Sequence, residues 1–343
     1  MRGQLSRFIA AIGICSAATL SAGGAHGQEF YKGKTVRIIV ATTPGGGFDA
    51  YSRTLARHLG KHVPGNPSFV VENMPGAGFL IGTNFLYNQA KPDGLTLGNW
   101  IGTLVLHQVI GRKGVEFDAR KFEYVAAPIK NHDLCLMSKA SGISSVERWM
   151  GSPVPVKMGA TPPGSTPYDN AAILKEATGL PIQLVSGYKG TAEIRLAIDS
   201  GEVSGLCGLS WASTKVTWRK QLQAGDVKVV LQNSPAPHPD LPDVPLAINL
   251  AKTDLGRKLI QVALHDVSAI TYLYTFPPGT ARDRVQLFRR AFKETISDPE
   301  FVAEAKKGNL DLDPVAGEEL EKIVNNFFKV DGSTVNKLRE ILR

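Results

Sequence analysis

The stretch Val36–Leu55 reads VRIIVATTPGGGFDAYSRTL. A β-branched run, Val36, Ile38, Ile39 and Val40, stops at Pro44. Gly45, Gly46 and Gly47 follow, then Phe48 and Asp49, then apolar residues at helical spacing. The order is strand, glycine bend, helix start. Such a bend turns unpaired backbone N–H groups, and the positive end of a helix dipole, toward whatever lies in front of it, and an anion fits that environment. Asp49 sits just inside the helix. Either it accepts N–H bonds as a cap or it faces a ligand. Beside a bound anion the second role requires a water, or a donor group on the ligand.

The chain repeats this arrangement. Met158–Asp169 reads MGATPPGSTPYD, and aligning Ala41-Thr42 with Ala160-Thr161 brings Pro44-Gly45 onto Pro163-Gly164, 119 positions on. Proline and glycine end strands in any protein. Two alike bends, each after an apolar stretch and before a helical one, suggest two lobes offering bends to a shared cleft. A further bend, Val71–Gly82 (VENMPGAGFLIG), also follows a strand and opens a helix. Its Gly76, Gly78 and Gly82 superficially match a dinucleotide fingerprint. The acidic residue that should end the next strand is missing from LTLGNW, so the bend reads as a second set of backbone donors beside Gly45–Gly47.

Location is set by the first residues. Arg2 and Arg7 precede an apolar run, Phe8–Leu20, and Ala25-His26-Gly27 is a small-x-small cleavage site. Residues 1–27 are expected to be a secretory signal peptide, with a mature chain starting at Gln28. Ile14 stands where a lipoprotein signal at Cys15 wants a small residue. Without Arg2 and Arg7, 37 basic residues face 31 acidic ones, a net charge of +6. That mild basicity suits acidic ligands. Basic residues are dispersed, which argues against a nucleic-acid partner. The remaining cysteines, Cys135 and Cys207, either pair in an oxidising compartment or stay as buried thiols.

Strand and helix patterns alternate. Strands are predicted at Val36–Ala41, Phe69–Glu72, Leu95–Asn99, Tyr124–Ala127, Leu134–Ser138, Val156–Gly159, Ile182–Leu184, Gly205–Gly208, Val227–Gln232 and Ile270–Phe276. Helices are predicted at Ala50–His62, Ile81–Gln89, Tyr168–Thr178 and Ala192–Ser200. The alternation means an α/β protein with helices on both sheet faces and ligands at the carboxyl ends of strands. The last third turns helical, with apolar stripes at Val285, Phe288, Phe292 and Ile296, and at Leu320, Val324, Phe327 and Phe328, that read as core. The proline-rich segment Asn233–Pro245 reads as a surface connection. The chain is expected to cross between lobes there and near Tyr124–Lys130.

Other chemistry is thinly supported. His58 and His62 have i,i+4 spacing, but no third ligand is evident and basic neighbours repel a cation, so no metal and no cofactor are expected. Neither a Gly-x-Ser-x-Gly elbow nor a Walker lysine is present. A hydrolase reading requires a histidine to reach Ser165 or Ser210 in space. Tyr188-Lys189-Gly190 is either a turn with a half-buried tyrosine or a phenol and an N–H at the cleft.

YKGKTVRIIVATTPGGGFDAYSR, VVENMPGAGFLIG, KPDGLTL and SGYKGTAEIRLAIDSGEV, followed by PDLPDVP, FPPGTARDRV and SDPEF, together resemble the Bug-type periplasmic solute receptors of tripartite tricarboxylate transporters. The resemblance runs over most of the chain, from Phe30 to Val330. It implies a two-lobe clamshell of the type II periplasmic-binding-protein (Venus flytrap) kind, each lobe a mainly parallel sheet flanked by helices. Residues 28–126 with 246–343 would form one lobe and 127–245 the inserted other. It implies a ligand carboxylate held by Gly45, Gly46, Gly47 and Asp49, by Gly76, Ala77 and Gly78, and by Gly164, Ser165 and Thr166, with Tyr188 at the family's Tyr-x-Gly position. It further implies a non-enzymatic monomer in the periplasm that delivers a small organic acid to membrane permease subunits; a sensor subunit of the same fold is the alternative.

The chain departs from the family pattern in three places. Pro162, Pro163 and Pro167 remove N–H donors from the third bend. Val203-Ser204-Gly205-Leu206-Cys207 replaces the usual Val-Asp-x-Met-Phe, and Phe48 replaces a small polar residue. Phe48 and Tyr168, with Trp100 or Trp211, would give a wider, more aromatic pocket, which suits an aromatic or larger monocarboxylate better than a small, doubly charged dicarboxylate.

Overall fold

The computed structural model describes residues 30–342; the expected signal peptide lies outside the described residues. Eleven strands build two sheets. The first contains β1 (Thr35–Val40), β2 (Ser68–Asn73), β3 (Thr96–Ile101), β4 (Glu123–Ala127), β10 (Tyr272–Phe276) and β11 (Val315–Ala316), in the order β11-β4-β10-β3-β1-β2. The second contains β5 (Asp133–Ser138), β6 (Val156–Ala160), β7 (Ile182–Ser186), β8 (Gly205–Ser210) and β9 (Val227–Gln232), in the order β7-β6-β8-β5-β9. Helices flank both, as in a two-lobe periplasmic binding protein.

Both sheets are mixed, which corrects the expectation of mainly parallel ones. Parallel pairing is confined to the strand–helix–strand units, β1 with β2 and β3, and β6 with β7 and β8. The strands that flank the crossings between sheets, β4, β5, β9 and β10, run antiparallel to their neighbours. The reversed strands are β10 and β11 in the first sheet and β5 in the second; β4 and β9 keep the direction of the parallel units and are antiparallel only to these.

The glycine bend lengthens its helix. The helix spans Gly47–His58, three residues earlier than the apolar pattern indicates, with Gly46 as an extended N-cap. Tyr51 and Leu55 bury its inner face, and Leu59 continues that face in a 3₁₀ turn. The stripes at Val285, Phe288 and Phe292 and at Leu320, Val324 and Phe327 are buried as expected.

One apolar cluster runs through both sheets, from Trp100 and Leu273 in the first to Met158 and Leu231 in the second. The helix Asp254–Ile260 packs on the helix Thr166–Thr178, where a Cβ on Gly256 would lie 2.6 Å from the Ala177 carbonyl. Lys337 reaches Glu176 on the same helix at 2.6 Å. Cys135 and Cys207 form a disulfide between β5 and β8, where they are cross-strand partners. Among the described residues no helix is long and apolar enough to cross a membrane.

Candidate functional site

The two bends are built alike. Gly45 and Gly164 both have φ +87°, a left-handed conformation that glycine adopts without a Cβ clash. Each is followed by an extended N-cap, Gly46 or Ser165, and a helix begins at Gly47 or Thr166. In each, the glycine N–H donates at 2.9 Å to a carboxylate in the first helical turn: Gly45 to Asp49, Gly164 to Asp169. Asp49 therefore fastens the bend rather than pointing away from it. Burial works to raise the Asp49 carboxyl, but the Arg53 guanidinium and the Gly45 N–H outweigh it and hold it below the usual range. Among the described residues, no acceptor takes the N–H of Gly46, Gly47, Phe48, Thr166 or Tyr168. These are the unpaired donors that helix starts leave.

The second bend is strained. Gly76, Ala77, Gly78 and Phe79 all have positive φ, at 139°, 46°, 61° and 74°, and non-glycine residues hold such angles only where surrounding structure enforces them. Phe79 caps the helix Leu80–Asn88, and its carbonyl accepts from the Thr83 hydroxyl at 2.9 Å. Its ring lies 4.7 Å from that of Phe48, which brings the first two bends together. Phe48 also stacks on Tyr272 at 4.3 Å, and a Cβ on Gly47 would meet the Tyr272 hydroxyl at 2.8 Å. Gly82, by contrast, packs against Ala41 and Met74 and belongs to the helix–sheet contact.

The third bend is reached from the first-sheet side by Arg112. This residue follows the helix Thr103–Val109, and its Nη2 donates to the Pro163 carbonyl at 2.9 Å. Its Nη1 lies 3.2 Å from His107 Nε2, which in turn lies 3.8 Å from Asp169. The guanidinium occupies the space a side chain at Gly164 would need. Beneath the bend, Gly208 of β8 allows the Thr166 carbonyl to approach.

Remaining expectations fall out differently. The Tyr188 hydroxyl donates to Glu202 at 2.7 Å, and burial and that carboxylate push it up to about 12. Trp100 is fully buried with its N–H on Thr275, so it lines no pocket. Tyr168 is partly buried on the cluster that spans both sheets. Ser165 donates to the Pro162 carbonyl, and Ser210 caps the helix Trp211–Thr217; among the described residues neither is hydrogen-bonded to a histidine. His58 and His62 pair with Glu304 and Asp298. His58, Asp298 and Glu300 are close enough to share an ion, but the Lys61 ammonium already sits on both carboxylates, at 2.7 and 2.8 Å.

A cavity of about 430 Å³ opens where the sheets meet, walled by His132, Trp211, Lys215 and His238 on one side and Asp311 and Asp313 on the other. Burial lowers both histidines below the ordinary imidazole range. Lys215 spans the gap, 3.4 Å from Asp240 and 3.3 Å from Asp311. The Tyr51 hydroxyl donates to the Asp311 carbonyl at 2.6 Å, and Tyr51 stacks on Tyr272 at 5.1 Å. The cavity wall and the triple-glycine bend thus share one aromatic pair.

Sequence reading missed Arg112, His107 and Tyr272, which stand in no motif. Asp169 was within reach of the repeat. The third bend holds one more residue between glycine and carboxylate, so the 119-residue offset lands on Tyr168 instead.

Solved structures with this fold include a TctC solute binding protein from Polaromonas, at 19% identity and TM-score 0.68, covering 90% of this chain and 99% of that one. Rpa4515 of R. palustris, solved with adipate, is 18% identical with TM-score 0.64, covering 90% and 97%. MatC from Rhodopseudomonas palustris, solved with bound malate, is 19% identical with TM-score 0.61, covering 90% and 99%. No curated protein sequence matches. The family pattern described as the tripartite tricarboxylate transporter family receptor matches residues 51–339, and by that match over most of its length the chain belongs to this receptor family.

Proposed function

We propose that this receptor captures a small organic carboxylate between its two lobes, holds it by main-chain amides, and delivers it to a tripartite permease in the periplasm. The observation that carries this reading is the pair of matched bends, each a strand end, a left-handed glycine and a helix start with unpaired N–H groups. Helix-start amides attract an anion without burying a second full charge against it. Bonds from such donors to a carboxylate contribute roughly 1.5–3 kcal/mol each. The chain crosses between lobes near residues 127 and 245, and closure there is a hinge motion. Malate and adipate, found in two structures of the same fold, set the size class to test first.

The test is a thermal-shift screen of the mature protein against aliphatic dicarboxylates and aromatic monocarboxylates. A ligand at 100 times its Kd adds about 2.7 kcal/mol of stability, a shift of several degrees. If no acid in the panel raises the Tm at millimolar concentration, the reading fails.

A further inference from the structure

The third bend has fewer free donors than the first, the N–H of Thr166 and Tyr168 against those of Gly46, Gly47 and Phe48, and a cation stands against it. Pro162, Pro163 and Pro167 carry no N–H. The Gly164 N–H is committed to Asp169, and that of Ser165 to the Pro162 carbonyl at 3.3 Å. We propose that Arg112 supplies the missing donors and grips the ligand carboxylate from the opposite lobe, which makes anion capture and lobe closure a single event. This rests on the carboxylate reading above.

The two bends, compared side by side, support it. Each holds a glycine N–H on a buried carboxylate, and a carboxylate there repels an incoming anion unless a cation offsets it. In the first bend that cation is Arg53, four residues along the same helix and 2.9 Å from Asp49. In the third bend the start of the helix offers none, its basic residue, Lys175, standing in the last turn. Position 173, four residues after Asp169, is Ile173, fully buried. Arg112 and His107 come instead from the other sheet's side, and the second oxygen of Asp169 has no hydrogen-bond partner among the described residues. Two of the five guanidinium N–H groups are used, on Pro163 and His107. The other three, Nε–H included, have no acceptor among the described residues. That planar fork matches a carboxylate.

Two measurements test this. In ¹⁵N-labelled protein, the Arg112 Nε–H resonance, assigned by its loss in R112K, should shift on titration with acetate. By calorimetry with the best acid of the panel, R112Q should bind at least tenfold more weakly while still unfolding in one cooperative transition. R112K should fall between, and rising salt should weaken the wild type more than R112Q. Should R112Q fail to fold, R112K and the acetate titration decide. Equal affinity in R112Q, or a resonance that acetate leaves in place, overturns the proposal. A wild type that binds an acid while R112Q matches it removes Arg112 alone; a wild type that binds no acid, with an unmoved resonance, removes the carboxylate reading as well.

Discussion

Asp49 holds the N–H of Gly45 at 2.9 Å from inside the first turn of the helix that Gly45 precedes. The carboxylate shapes the bend it is attached to, and it is itself held by Arg53. Asp49→Ala removes a charge-assisted bond that contributes roughly 1.5–3 kcal/mol. The expected result is a loss of stability of about that size in urea denaturation, with a carboxylate affinity at least tenfold lower by calorimetry. Asp49→Asn keeps an acceptor and should lose less of both.

Two glycines in the same region should respond oppositely. Gly46 has φ −87° and ψ 177°, and a Cβ there meets nothing within 4 Å. Gly46→Val should leave stability within about 0.5 kcal/mol while blocking the amides from a ligand. A Cβ on Gly82 would lie 2.7–2.8 Å from Ala41 and 3.0 Å from the Met74 carbonyl. Those contacts include main-chain atoms that cannot swing aside, so Gly82→Ala should cost about 1–3 kcal/mol. Denaturation curves and ligand titrations on both variants check the contrast.

Asp133 gives a pH signature. Burial raises its carboxyl to about 6 from an ordinary 3.8. Between those values the folded state holds a proton that the unfolded chain has released. Stability from this group therefore falls as pH rises from about 4 to 6, and the full penalty persists above. Asp133→Asn should stabilise the protein by about 2–3 kcal/mol at pH 7.5 and by almost nothing at pH 3.5. Chemical denaturation at the two pH values measures the difference.

The Cys135–Cys207 disulfide closes a loop across 72 positions. In the chain-entropy account a loop of that length contributes about 4 kcal/mol. The double variant Cys135→Ala/Cys207→Ala should lose a comparable amount, read as a lower urea midpoint, with a steeper slope because the uncross-linked denatured chain exposes more surface.

Much of the scaffold was legible because strand patterns here are strong: short apolar segments alternating with helical ones located ten of the eleven strands of the described residues. β11 escaped, since Val315–Ala316 is too short to show a period. Strand direction escaped as well, because the pattern of a strand is the same read toward or away from a crossing. In the site, the bends were legible from glycine and proline, whose backbone chemistry is local. Arg112 and Tyr272 were not, since each reaches a bend through the fold. Tyr188 and Trp100 show the converse: matching residue types were present, but Glu202 and Thr275 claim their polar groups.

The apolar mass that joins Trp100 and Leu273 to Met158 and Leu231 has a practical corollary. Each half also has a cluster of its own, but separating them would cut the shared one open, so expressing one without the other should yield an aggregation-prone fragment rather than a smaller working unit. Anyone turning this receptor into a reporter would do better to attach probes to the intact chain than to dissect it.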